Sequence, residues 1–492
     1  MSYKSSIIVD IKKNIGTISP NIYGHFTEHL GRLVYDGIWV GLDSDIPNIN
    51  GIRKDIIEAL KVINPPIVRW PGGCFADDYH WRDGIGPRDE RPRTVNIHWN
   101  SIETNEFGTH EFLEFCKLIG AEPYICCNVG SSTPREMREW LEYLNYDGNS
   151  DLAKLRAKNG HPEPFNIHYW GIGNENWGCG GMMSPKYYAY QYKKFAAFAH
   201  SFTDQELYKI ACGPPAYHYP WTRGFFRNLC ENKIIGCPWR LPLVNGFALH
   251  YYVETERLAT EFSEKQWYET LQKARKMEGY IKWHTRIMRY FDKKRTVDFI
   301  IDEWGTWHKV EENTEEKWLY QQNTINDALV AAITLDIFNK HADKVSMANI
   351  AQTVNVLQAL ILTKDSKMLL TPTYHVYDLY SSHQGAESLK MKIKTTKKNK
   401  IPLLSGSCSR KEDVLTVTLV NSHAKKPIKT KFKIKGTKDY IIQSWKILNS
   451  EEIHDHNTFE QPNRVAPVKR EPQIENLVLP PASVNLIQFK VK

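Results

Sequence analysis

The 492-residue sequence lacks several things that would place it outside the ordinary globular enzymes. Its first residues, Met1 to Asp10, contain no sustained apolar segment of the kind that directs secretion. No run approaches the roughly 18 apolar residues that a membrane span requires. The nine cysteines are odd in number and scattered, with no C-x-x-C pair, which argues against a disulfide scaffold and for a reducing compartment. A cytoplasmic location is the expectation. There is no internal repeat. Basic charge is also missing from most of the chain: the net +8 arises because 381–492 carries 21 Lys+Arg against 10 Asp+Glu. That tail has neither interleaved aromatics nor Arg clusters, so it reads as a solvated lysine face rather than a nucleic-acid surface.

Aromatics are plentiful, at 12% with 15 Trp and 25 Tyr. Flat rings with polar edges are what sugar-binding clefts use, although large cores hold them too. Within this background one segment stands out, Trp170-Gly171-Ile172-Gly173-Asn174-Glu175-Asn176. A short apolar strand there ends in Asn-Glu. A second, Val297 to Ile301, ends in Asp302-Glu303-Trp304-Gly305. Two carboxylates at two strand ends are the equipment of glycoside cleavage, one to protonate the leaving oxygen and one to attack or to activate water.

Eight short apolar segments recur: Ile22–His25, Ile67–Trp70, Pro123–Asn128, Ile167–Gly173, Ile210–Gly213, Val244–His250, Asp298–Asp302 and Met347–Gln352. Helical patterns separate most of them. Ile52, Ile56, Ile57, Leu60 and Ile63 form one apolar face; Thr133-Pro134-Arg135-Glu136 reads as a capping box, and Ser184-Pro185 opens another helix. The alternation predicts an α/β fold, a closed (β/α)8 TIM barrel over 16–380. After Tyr380 the pattern becomes period-2, as in Ile428, Thr430, Phe432 and Ile434 alternating with lysines. It predicts a C-terminal antiparallel β-sandwich over 381–492, one strand of which comes from residues 1–15, with Ser6–Ile11 as the candidate. Gln461–Gln473 is the most loop-like segment.

The active site of such a barrel lies at the carboxyl ends of its strands. Those ends supply His25, Phe26 and Glu28; Arg69, Pro71, Gly72, Gly73 and Cys74; Asn174 and Glu175; His250 and Tyr252; Glu303 and Trp307; and Gln352. Arg69 can orient a nearby carboxylate and hold its pKa down.

This set resembles glycoside hydrolase family 51, the α-L-arabinofuranosidases, over nearly the whole chain. The matching stretches are Gly24-His25-Phe26-Thr27-Glu28-His29, Arg69-Trp70-Pro71-Gly72-Gly73-Cys74-Phe75, Tyr79 through Pro87, Gly173-Asn174-Glu175, His250-Tyr251-Tyr252 and Asp302-Glu303-Trp304. The resemblance implies a retaining, exo-acting enzyme on arabinose-containing oligosaccharides. Glu175 then corresponds to the acid/base and Glu303 to the nucleophile. Glu28, Arg69, Cys74, Asn174, Tyr252 and Gln352 correspond to contacts of the arabinofuranose, with His250 beside them, and Trp99 and Trp307 to the pocket rim. Some members carry Asn in place of Cys74. The resemblance implies neither cofactor nor metal, and it implies a homo-oligomer, a hexamer in many members. Arabinan, arabinoxylan and arabinogalactan fragments all meet its substrate requirement.

Other readings stand beside this one. A retaining β-xylosidase or β-glucanase would use the same two Glu, and a binding module would have lost one of them. His25-Phe26-Thr27-Glu28-His29 also matches H-x-x-E-H, a zinc-peptidase motif that requires a helix. Cys126 and Cys127 read as buried strand residues, and Asp77 and Asp78 as loop charges. His80 and Trp81 read equally as loop supports or as sugar contacts. Cys74 and Cys179 each lie within a few residues of a different strand-end motif, so an approach at the pocket wall is an expectation.

Overall fold

The computed structural model describes residues 3–230, 244–437, 439–471 and 477–491. Cys237 and the last two residues of the loop-like segment 461–473 lie outside them.

Eight parallel strands close into a barrel: Gly24–Phe26, Ile67–Trp70, Glu122–Cys127, Tyr169–Ile172, Tyr208–Ala211, Gly246–Glu254, Asp298–Trp307 and Val345–Ala351. They are the eight predicted segments, shifted by a few residues. The first starts late because Ser19 caps a short 3-10 turn over Pro20–Tyr23. At Gly24 a Cβ would meet Asn349 Oδ1 at 2.2 Å, so glycine permits the close approach of the first strand to the eighth. The sixth and seventh strands extend well beyond the others and carry three of the polar side chains of the site.

The seventh strand has an irregularity with a consequence. Leu249 pairs with Ile301, but the next residue of the sixth strand, His250, pairs with Glu303. Asp302 is the extra residue. In a regular strand two consecutive side chains point to opposite faces. The bulge lets Asp302 and Glu303 both face the barrel interior, the re-aiming that bulges provide.

The helices follow the sequence signals. Lys54–Ile63 buries Ile56, Ile57, Leu60 and Ile63, whereas Ile52 belongs to a short strand before it. Thr133 caps Pro134–Asn145 by accepting from the Glu136 N–H. The reciprocal half of the predicted capping box is absent, because the Glu136 carboxylate bonds His80 and Ser132 instead.

Apart from four two-stranded hairpins, the remaining described strands form a nine-stranded sheet that includes Tyr3–Thr17, longer than the predicted Ser6–Ile11. This strand runs antiparallel to Glu387–Lys394 and parallel to Ile428–Lys435. All other strand pairs of the sheet are antiparallel among the described residues; this strand escapes the rule because no hairpin joins it to either neighbour. Phe432 and Phe489 lie on strands that are well separated in the sheet order, yet their rings stack at 4.9 Å, so the sheet folds over on itself as a sandwich. Ile428, Thr430 and Ile434 are buried and the intervening lysines exposed, as the alternation predicts. Val414–Asn421 departs from it: Thr416 and Thr418 are buried as well. Its second face is covered by helix Ile325–Lys340, which is buried on every side between barrel and sandwich. Thr418 and Ser407 donate to Asp336 of that helix at 2.8 and 2.7 Å.

Candidate active site

The two carboxylates predicted from the sequence meet at the top of the barrel. One oxygen of Glu175 and one of Glu303 lie within 4.8 Å of each other, with His250 between them. His250 Nδ1 donates to Glu175 Oε1 at 2.8 Å and lies 3.4 Å from Glu303 Oε2. Burial opposes a charged imidazole, but the two carboxylates, Glu303 first, hold the His250 pKa above its ordinary value.

Glu303 is fixed from two sides. Arg69 Nη1 donates to its Oε1 and the Tyr252 hydroxyl to its Oε2, both at 2.8 Å. Burial alone would raise its pKa. The positive His250 and Arg69, together with the hydrogen bonds from Arg69 and Tyr252, outweigh burial and hold it below the ordinary carboxylate value. Arg69 is itself positioned by Asp302 at 3.4 Å and by Asn174 Oδ1, which accepts from Nη2 at 2.5 Å. Asp302 in turn accepts from Tyr124 and Asn349.

Glu175 sits differently. It follows Gly173 and Asn174 in a turn whose φ is +81° at Gly173 and +41° at Glu175, the left-handed region. At Gly173 a Cβ would also meet Asn176 Oδ1 at 2.1 Å, so glycine is required on two counts. The Glu175 side chain is 20% exposed against 6% for Glu303, which places it toward the opening.

Glu28 forms the floor. It accepts from the Phe75 N–H at 3.0 Å, from the Trp99 indole at 2.9 Å and from Gln352 at 3.4 Å. Burial first, and the neighbouring Glu303 second, push its pKa up to about 7. At Gly73 a Cβ would reach Glu28 at 2.5 Å, so this glycine clears room for the carboxylate. Trp99 is carried on the hairpin formed by Thr94–Asn96 and Ser101–Glu103, and Trp307 packs edge-on against Tyr252 at 5.2 Å. Together these residues line a narrow cavity of ≈ 50 Å³. Glu28, Gly73, Cys74, Trp99, Asn174, Glu175, Tyr252, Glu303, Trp307 and Gln352 line it, whereas Arg69 and His250 reach the site through the carboxylates, and His25, Phe26, Pro71 and Gly72 of the predicted strand ends do not line it. Leu319 and Leu357 also line it, from loops whose sequence carries no signal of that role.

Cys74 and Cys179 form a disulfide at this wall, so the expected approach of the two takes place and a covalent bond joins them. Cys179 Sγ lies 3.6 Å from Glu175 Oε2. The pairing follows from the barrel, which brings two sequence-distant strand ends together. Cys126 and Cys127 are buried, as expected.

Asp77 is not a loop charge. It is buried, and its two oxygens accept from the backbone N–H groups of Val129, Gly130 and Asn174 and from Asn176 Nδ2. It therefore ties the third and fourth strand ends together directly behind Glu175. His80 and Trp81 are loop supports: His80 pairs with Glu136, and the buried Trp81 donates to the Glu136 carbonyl.

The zinc-peptidase reading finds no support in the geometry. The motif lies on a strand and a turn, not a helix. His25 packs against Tyr377, while His29 pairs with Glu103 at 2.7 Å and accepts from the Trp70 indole.

Comparison with known proteins gives one consistent result. A model of the α-L-arabinofuranosidase 1 domain matches residues 59–268, and one of the α-L-arabinofuranosidase C-terminal domain matches 302–483. An intracellular exo-α-L-arabinofuranosidase of Bacteroides ovatus is 42% identical over 94% of this chain and 90% of its own length. The family 51 arabinofuranosidase of Xanthomonas axonopodis pv. citri superposes with a TM-score of 0.94 at 38% identity, covering 99% of this chain and 100% of that one. The Thermotoga maritima α-L-arabinofuranosidase in its arabinose complex gives 0.87 at 32% identity, covering 99% and 100%. With this agreement along nearly its full length, the chain belongs to the α-L-arabinofuranosidases of glycoside hydrolase family 51.

Proposed function

We propose that the enzyme removes single terminal α-L-arabinofuranosyl groups from arabinose-containing oligosaccharides with retention of configuration. The observation that carries this reading is the narrow cavity lined by both Glu175 and Glu303, which share His250 at an oxygen separation within 4.8 Å. Retaining glycosidases hold their carboxyl groups about 5–5.5 Å apart, whereas inverting enzymes leave room for a water. Glu303 is the nucleophile: its lowered pKa keeps it ionised, and it attacks C1 to form a covalent arabinosyl-enzyme. Glu175 donates a proton to the leaving oxygen and then takes one from the water that hydrolyses the intermediate. Arg69 and Tyr252 set the nucleophile's orientation. Glu28 and Gln352 meet the sugar hydroxyls, and Trp99 and Trp307 frame the ring.

The proposed catalytic unit spans 16–380, and 381–492 with residues 1–15 forms a structural sandwich. An assembly of identical subunits in the cytoplasm completes the reading; light scattering tests the first and fractionation the second. No helix among the described residues is long and apolar enough to cross a membrane.

The deciding experiment compares turnover of aryl α-L-arabinofuranoside, β-D-xyloside and β-D-glucoside, with NMR of the anomer first released. Fastest turnover of the arabinofuranoside with retention is expected. A faster β-xyloside or β-glucoside would move the enzyme to the related specificities, and an inverted first product would remove the double displacement.

A further inference from the structure

An enzyme that removes a terminal sugar at a narrow cavity must send the rest of the substrate out of its mouth. Around the barrel, the sixth strand lies between the fifth and the seventh, which carries Glu303, and its His250 reaches Glu175 of the fourth. Beyond the end of the sixth strand is a second, open groove of ≈ 740 Å³. Glu254 and Glu256 border it on one side; Gln266, Glu269 and Lys273 of helix Glu264–Ala274 border it on the other. Trp307 lines both this groove and the catalytic cavity. Its backbone is anchored, since the Thr255 N–H donates to the Trp307 carbonyl at 2.8 Å.

We propose that this groove is the binding site for the leaving part of the substrate, a neutral oligosaccharide of two or more sugar units. The proposal rests on the arabinofuranosidase reading above and adds where, and to what, the aglycone binds. A tryptophan at the mouth gives a sugar ring an apolar platform. The groove then offers groups suited to hydroxyls. Gln266 spends its Oε1 on the Ser263 N–H and hydroxyl, which fixes the side chain and leaves its amide N–H groups for a ligand. Lys273 is held by the Glu254 carbonyl at 2.7 Å. Glu254, Glu256 and Glu269 present acceptor oxygens at an exposed surface. Three carboxylates face two cations, Arg257 and Lys273, so the lining favours uncharged sugars over chains that carry uronic acids.

The test uses the full-length enzyme and the pair Gln266→Ala with Glu269→Ala, both at exposed helix positions; because Gln266 also caps the helix, turnover of the aryl substrate serves as the control for folding. The readout is kcat/KM on a neutral arabino-oligosaccharide of three or more units, divided by kcat/KM on an aryl α-L-arabinofuranoside, whose leaving group is too short to enter the groove. The ratio should fall about fivefold, through KM, as expected from losing two solvent-competed hydrogen bonds. A ratio that does not change, or equal losses on both substrates, would overturn the proposal. A second measurement compares neutral and uronate-bearing oligosaccharides of equal length. The unsubstituted enzyme should prefer the neutral one, and Glu256→Gln with Glu269→Gln should narrow the preference; no preference would overturn the assigned class. An unsubstituted enzyme inert on the aryl arabinofuranoside would overturn the activity reading and this one with it, whereas an active enzyme with an unchanged ratio overturns the groove alone.

Discussion

The end of the fourth barrel strand and the end of the seventh each present one glutamate, and they are built in opposite ways. On the seventh strand Glu303 belongs to the strand itself, is buried, and is held by the charges of Arg69 and His250. On the fourth, Glu175 leaves the strand through a left-handed turn and stands partly exposed. Its carboxylate shares His250 with Glu303, and its turn is tied down by Asp77 and bordered by the disulfide. The difference matches two tasks. A nucleophile must remain ionised and motionless, whereas a group that gives up a proton and then takes one back needs access to the leaving group and to water.

Substitution at each end should break this contrast to a different degree. Glu303→Ala should cost about 10⁴-fold or more in kcat on every substrate, because the step it performs has no substitute. With azide the variant should give a glycosyl azide of inverted configuration. Glu175→Ala should cost about 10²–10⁴-fold on substrates with poor leaving groups and far less on activated aryl glycosides, which leave without a proton. Its azide product should keep the configuration. The opposite azide pattern would exchange the two roles.

Asp77→Asn comes next. An amide cannot accept all four of the hydrogen bonds that converge there, so the fourth-strand turn should shift, with a loss of about 10–100-fold. The loss should grow with leaving-group pKa, as for Glu175. Equal losses on all leaving groups would mean that Asp77 supports the barrel generally rather than this strand end.

Two finer tests concern the charge and the disulfide. His250→Asn removes the imidazolium that holds Glu303 down, so the nucleophile's pKa should rise and the acid limb of the kcat/KM profile should move toward higher pH. A limb that stays in place would assign the depression to Arg69 and Tyr252. Cys74→Ser with Cys179→Ser should lower the melting temperature by a few degrees, since the bridge closes a sequence separation of 105. It should also weaken poor leaving groups more than activated ones, because the bridge borders Glu175 and not Glu303.

What could be read from the sequence follows from where the signals are local. The eight strands, both glutamates and most of the cavity wall were legible because each stands at the end of a short apolar run. The lysine alternation exposed the sandwich. Asp77 was misread because its partners Val129, Gly130 and Asn174 are backbone groups, which have no sequence signature at all. The bulge at Asp302 was invisible for a similar reason, since it exists only relative to the register of a neighbouring strand. Leu319 and Leu357 reach the cavity from loops where an apolar residue announces nothing. The buried Thr416 and Thr418 were hidden by an alternation that assumed one wet face, because the covering helix lies some 80 residues away in sequence (Thr418 and Asp336 are separated by 82).

The strand Tyr3–Thr17 also sets a schedule for biosynthesis. It is made before any barrel strand, yet both its neighbours, Glu387–Lys394 and Ile428–Lys435, follow the whole barrel. Ser5 and Thr395, which hydrogen-bond across this pairing, are 390 residues apart. At ordinary ribosomal speeds the early strand waits roughly 20–80 s for its partners. Throughout that interval it carries Ile7 and Val9 uncovered and two open edges, the form of strand that pairs with a neighbouring chain when its own partner is late. The newborn polypeptide is therefore most exposed to misassembly at this strand, and the synthesis of 387–435, rather than completion of the barrel, is the event that covers it.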